Sequence, residues 1–192
     1  MLRPLAIPLH MLRLCGSCEL SSLQRGVFLV LYTRVDDDRV VLSPLSKDLR
    51  EFYCFVVGPR GPFSSVLYEA VMKSLSELGY VRVSVRGSGV TVSSGSRLSS
   101  EIPELSEEVM ERVERVSRLV RSIDPELLNN LCLRVLGIPR RSVARFVGRR
   151  VDEIVESILS ARRVVDRVLS EFENLVSEAA GGKLLGEAAA GI

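Results

Sequence analysis

The chain has 192 residues but no tryptophan, one histidine, one glutamine, three asparagines and three lysines. Each scarcity closes something off. With His10 as the only imidazole, His-dependent general-base chemistry has almost nothing to use. No P-loop, zincin or nucleophile-elbow motif occurs, so no enzyme is expected. No apolar run reaches the roughly 18–20 residues that span a bilayer. Pro4 and Pro8 interrupt the apolar start, and no small-residue cleavage site follows them. Neither a membrane span nor a signal peptide is expected, and a cytoplasmic location follows.

Four cysteines are present, at 15, 18, 54 and 132. Cys15-Gly16-Ser17-Cys18, with His10 five residues upstream, raises a structural zinc site. Such a site needs four ligands, and the second pair is missing. Cys54 and Cys132 fall in apolar segments, so buried thiols or a local disulfide stand ahead of zinc, and no metal or cofactor is assigned. Asp36-Asp37-Asp38 reads as a solvated turn, because three adjacent side chains do not converge on one cation.

What is abundant is arginine, with 23 against three lysines, beside 46% hydrophobic residues and a mean hydropathy of +0.22. That is enough apolar material for one domain, or two small ones sharing a core. Many charges with few amides fit a heat-adapted source, although high-GC coding gives the same skew. The net charge of +2 excludes bulk coating of nucleic acid, but it is a cancellation. Residues 131–150 hold six arginines and no acid, 101–128 hold eight acids and four arginines, and 168–192 hold four acids and one lysine.

Periodicity divides the chain. Residues 1–18 read as an N-terminal extension. From Glu19 to Thr33, Leu20, Leu23, Val27, Val30 and Leu31 make a helical stripe, with Ser17 a candidate cap; Val27–Tyr32 taken alone also fits a buried strand. Leu49–Val57 is a short aromatic segment stopped by Gly58-Pro59-Arg60-Gly61-Pro62. Ser64 caps a predicted helix carrying Val66, Leu67, Ala70, Val71, Leu75 and Leu78, and Gly79 ends it. Tyr80–Arg86 and Val90–Ser93 alternate with period two around Gly87-Ser88-Gly89, a β-hairpin. Helices followed by one hairpin predict a winged helix over 19–95. Arg82, Ser84 and Arg86 share one face of that hairpin, either as solvated strand residues or in reach of DNA phosphates.

The stretch Leu23-Gln24-Arg25-Gly26-Val27-Phe28-Leu29-Val30-Leu31-Tyr32, then Phe52-Tyr53-Cys54-Phe55, then Gly61-Pro62-Phe63-Ser64 and Leu67-Tyr68 through Gly79-Tyr80-Val81 resemble the YwgA-like and Panacea (SocA-like antitoxin) families over about residues 20–95. The resemblance implies a winged-helix fold and a regulatory or antitoxin role. The chain departs from it at Gly58-Pro59-Arg60 and in its long helical second half. Gly61-Pro62 predicts a sharp approach to the next helix, which Phe63 can staple to the core.

Residues 96–104 read as a linker and 105–180 as a helical region. Val109, Val113, Val116, Val120 and Ile123 mark one helix, and Asp124-Pro125 stops it and starts another. Gly137 and Ile138–Gly148 then match a helix-turn-helix in outline, with Ile138, Val143 and Phe146 inward. Arg140, Arg141, Ser142 and Arg145 face outward, with Arg149 and Arg150 just beyond, as candidate DNA contacts. Leu133, where such motifs usually hold a small residue, fits poorly, and a helical hairpin with surface arginines is the other reading. From Val151 to Ala179 apolar residues keep a/d spacing over about 28 residues, roughly 40 Å. The helix from Leu105 is the expected intrachain partner. Ile158, Val165, Val168, Phe172 and Leu175 are the expected homodimer seam. Gly181-Gly182 ends the helix, and 181–192 form a flexible tail.

The chain therefore reads as mainly α with a small β-hairpin, an N-terminal winged helix followed by a helical region with a long C-terminal helix. The function expected is that of a dimeric regulator or antitoxin-like protein binding double-stranded DNA; the alternative is a module that holds another protein without DNA.

Overall fold

The computed structural model describes residues 3–36, 39–87, 89–98 and 102–189, with side chains from 4 to 174. The chain divides into two units, Met1–Asp152 and Glu153–Ile192.

The first unit is organised around a helix that is buried on every side. Helix α1 (Ala6–Cys15) leads through a short strand β1 (Ser17–Glu19) into α2 (Leu20–Tyr32). Residues 22–32 of α2 are all buried, as expected of a helix apolar around its whole circumference. Helices α5 (Glu107–Ser122) and α6 (Pro125–Val135) pack on α2 beside α1. Gly26 sets the spacing of that packing. A Cβ there would lie 2.3 Å from Met11 Cε and 3.2 Å from Val120 Cγ2, so three helices meet where one side chain is missing.

Residues 6–12 are thus core and not an extension. Proline does not prevent this helix. Pro4 precedes it in a 3₁₀ turn (Arg3–Leu5), and Pro8 lies in its first turn, where an N–H has no intrahelical partner anyway. His10 is buried rather than at a mobile end. Arg13 Nη2 donates to His10 Nδ1 at 2.9 Å, so the ring proton sits on Nε2 and is donated to Pro103 O at 3.0 Å.

Between α2 and the next helix the chain inserts two hairpins and a helix. These are β2 (Thr33–Asp36) with β3 (Arg39–Leu42), α3 (Lys47–Tyr53), and β4 (Val56–Gly58) with β5 (Gly61–Phe63). Phe28, Tyr32, Tyr53 and Phe55 cluster beneath it, with ring centroids 5.1–6.4 Å apart. The Arg50 guanidinium stands 5.6 Å over the Tyr32 ring and forms a buried ion pair with Asp152.

Helix α4 (Ser65–Glu69) widens into a π-helix (Ala70–Leu75) and stops near Gly79, which has φ +77°. Ser64 caps it as expected, its Oγ accepting from Leu67 N at 3.0 Å. Gln24 fixes the cap: its Oε1 accepts from Ser64 N at 2.8 Å, and its Nε2 donates to Ser64 O at 3.0 Å. Phe63 does not reach the core. It is half-exposed, with its ring 6.1 Å from Tyr68, so the N′ to N4 staple lies on the surface. Ser17 does not cap α2 either; it lies in β1.

Strands β6 (Val81–Arg86) and β7 (Gly89–Ser94) form the expected hairpin, and β1 adds to β7 in a three-stranded antiparallel sheet of order β1-β7-β6. With the inserted β2–β5 and α3 set aside, helix, strand, helix, helix and two strands, with the first strand paired to the third, is the order expected of a winged helix. The apolar face of α5 (Val113, Val116, Val120) is taken up by α1 and α2. Asp124 caps α6, its Oδ1 accepting from Glu126 N at 2.7 Å.

The second unit is the body of α7 (Val151–Ala189), which continues past Gly181 and Gly182, where the sequence pointed to a stop and a tail.

Candidate nucleic-acid interface

Two groups of arginines carry the electrostatic candidates. On the hairpin, β6 places Arg82 and Arg86 on its solvent side, while Val81 is buried and Val83 half-buried. The alternation breaks only at the tip, where Val85 is also exposed. Cross-strand pairing of Arg82 with Ser93 and Arg86 with Gly89 fixes their spacing. Neither guanidinium has an ion-pair partner among the described residues. Both are free to meet an external anion.

The second group lies in residues 140–150. A second helix of a helix-turn-helix does not form there. After Gly137 (φ +64°), Arg140–Arg145 make a single 3₁₀ segment, too short to lie along a groove. Pro139 precedes it. Gly148 (φ +85°) then turns the backbone into ladder pairing with β4: Gly148 N donates to Val57 O at 2.8 Å, and Val57 N to Arg149 O at 2.9 Å. Ile138 and Val143 are buried as expected, and Phe146 is half-buried under the Arg149 guanidinium at 5.7 Å. Arg140 is neutralised by Glu126 at 2.6 Å. Arg141, Arg145 and Arg150 are exposed, and Ser142 is half-buried. No described contact joins this group to Arg82 and Arg86.

The element missed as a candidate is the helix preceding the wing. In a winged helix this is the one placed to read a groove, and only its apolar face stands out in the sequence. Its exposed side chains are Ser65, Tyr68, Glu69, Lys73, Ser74, Glu77 and Leu78. Two acids against one base make it a poor partner for phosphate. The signal was available: no arginine occurs between 61 and 81.

On α7 the seam residues Val165, Val168 and Phe172, with Val164 and Leu169, are 54–62% exposed. Ile158 is half-buried, and Leu175 lies outside the residues whose side chains are described.

No protein-family model, curated protein or solved structure matches this chain. The assignment therefore rests on the residues themselves. Cys15, Cys18, Cys54 and Cys132 are all free thiols. Burial raises the Cys15 thiol, and burial, reinforced by Cys15 and Glu19, pushes that of Cys18 up to about 12. Both nitrogens of His10 are engaged within the fold. Among the described residues no group of three His, Cys, Asp or Glu is placed to hold a metal ion, and no helix is long and apolar enough to cross a membrane.

Proposed function

We propose that the chain is a cytoplasmic winged-helix regulator or antitoxin-like protein that holds double-stranded DNA through its phosphates. The observation that carries this is the wing: a winged-helix sheet whose outer strand presents two unpaired arginines to solvent. Arg141, Arg145 and Arg150 supply further free guanidiniums. Because the helix before the wing exposes Glu69 and Glu77, base readout contributes little, and binding is expected to be salt-dependent and weakly sequence-selective. The regulatory or antitoxin side of the reading rests only on the resemblance of residues 20–95 to the YwgA-like and Panacea families.

A salt series of fluorescence anisotropy on duplex DNA tests it. Each phosphate contact contributes about 0.9 to the slope of log K against log salt, so Arg82→Glu/Arg86→Glu should flatten that slope by about 2. Arg141→Glu/Arg145→Glu tests the second group. Affinity unchanged in both double variants refutes the proposal.

The exposed apolar stripe of α7 favours a second reading, an interaction module, with a second copy of the chain as its partner. Residues 162–167 hold three arginines and one aspartate, and 168–174 hold two glutamates and no base. An antiparallel copy therefore sets opposite charges side by side along the stripe.

A further inference from the structure

A cleft of about 430 Å³, whose lining includes none of the candidate DNA-contacting arginines, opens beside α2, lined by Ser21, Arg25 and the hairpin Gly58–Phe63. Its walls are largely apolar, formed by Pro59, Pro62 and Phe63 around two glycines. Its volume is within the ~300–1,000 Å³ of small-molecule sites.

What sets this cleft apart is Arg25. Only 8% of the residue is exposed, yet its hydrogen bond, Nη2 to Arg60 O at 3.0 Å, goes to a neutral carbonyl. Among the described residues it has no ion pair. Glu19 acts on it from a distance but is itself exposed and bonded by Ser21 Oγ at 3.1 Å. A buried guanidinium lacking a carboxylate is costly, so a countercharge from outside is well rewarded. Arg60, exposed at the hairpin tip, adds a second positive charge to the same lining. Burial lowers the affinity of Arg25 for its proton; Cys132 and Glu19 oppose that, and the like charge of Arg60 adds to it.

Gly61 makes the arrangement possible. A Cβ there would stand 2.0 Å from Asn129 Oδ1 and 3.9 Å from Arg25 Nε, and Asn129 Oδ1 is buried with no partner. Glycine at φ +100° thus lets the hairpin close over an unpaired amide oxygen and a buried guanidinium at once.

We propose that this cleft binds a small amphipathic carboxylate, with its apolar body against Pro59, Pro62 and Phe63 and its carboxylate on the fork of Arg25. A bulk phosphate patch fits less well, since the walls offer phosphate few donors.

The test is isothermal titration of the full chain with phenylacetate and hexanoate, against phenylacetamide and inorganic phosphate. Saturable binding of both carboxylates is expected, at least tenfold tighter than phenylacetamide or phosphate. Arg25→Gln should abolish it. Because Arg25 is buried and that variant is at risk of misfolding, Arg60→Gln, at an exposed position, provides the second arm and should weaken binding several-fold. The proposal is overturned if neither carboxylate saturates by about 10 mM, if phenylacetamide or phosphate binds equally well, or if either Arg60→Gln or a folded Arg25→Gln binds as the wild type does.

Discussion

Replacing Gln24, the only glutamine in the chain, should cost far more than its volume. It is 3% exposed, and its amide closes two hydrogen bonds on the backbone of Ser64, which is fully buried. In Gln24→Leu the Ser64 N–H is left with no partner. The Ser64 carbonyl is better placed, because it also accepts from Tyr68 N at 3.0 Å. An orphaned buried donor costs about 1–3 kcal/mol and a lost second bond about 0.5–1.5 kcal/mol. Relief from burying the amide offsets part of this, leaving about 2–3 kcal/mol. For a chain of this length that is a Tm lower by about 5–10 °C. Gln24→Glu separates hydrogen bonding from packing. A protonated glutamate keeps the amide's shape, accepting from Ser64 N and donating to Ser64 O, whereas the carboxylate cannot donate and is buried. Its folded pKa must therefore lie above the unfolded value of about 4.3. Its contribution is fully present below that value and is lost as pH rises through the folded pKa, at up to about 1.4 kcal/mol per pH unit. Urea denaturation of wild type and both variants from acid to mildly alkaline pH reads this directly. A Gln24→Leu variant within about 0.5 kcal/mol of wild type, or a Gln24→Glu deficit flat with pH, refutes the reasoning.

Other outcomes follow from other buried groups. Asp152→Ala strands the Arg50 guanidinium, with both partners at least nine-tenths buried, and should cost about 3–5 kcal/mol; Arg50→Met/Asp152→Leu should cost less than the single change, and a denaturant double-mutant cycle checks that coupling. Alkylation followed by mass spectrometry should modify exposed Cys54 first and buried Cys132 only on unfolding. Cys18, held protonated, should gain rate with pH until well above 9; labelling as fast as Cys54 at neutral pH contradicts its burial. If α7 joins two copies, sedimentation should show a concentration-dependent mass that Val168→Asp reduces to the monomer, and a monomeric wild type at micromolar concentration removes that reading.

The β6–β7 hairpin and the caps at Ser64 and Asp124 were legible because each is set by neighbours a few residues away. Helix α2 was ambiguous over Val27–Tyr32, since a helix buried all round carries little periodicity. Helix α1 was hidden for the same reason, with two prolines that look like breakers until the first turn is located. The helix-turn-helix outline failed because Gly148–Val151 is claimed by β4, a partner about ninety residues earlier that local pattern does not reveal. The cleft at Arg25 shares that origin. The Gly-Pro doublet read as a turn, but nothing local tells that it closes over a guanidinium one helix away.

The open strand of the winged-helix sheet has a further consequence. Among the described residues strand β6 pairs only with β7, which leaves its other edge open, and its sequence is Val-Arg-Val-Ser-Val-Arg. Edge strands invite intermolecular pairing, and charged side chains are the usual guard. With alanine at 82 and 86 the segment becomes uncharged, β-branched and free of proline, the composition that stacks into aggregates. Arg82 and Arg86 thus act as gatekeepers of solubility whether or not they touch phosphate. Alanine variants would confuse precipitation with lost affinity, whereas glutamate leaves the guard in place while reversing the charge.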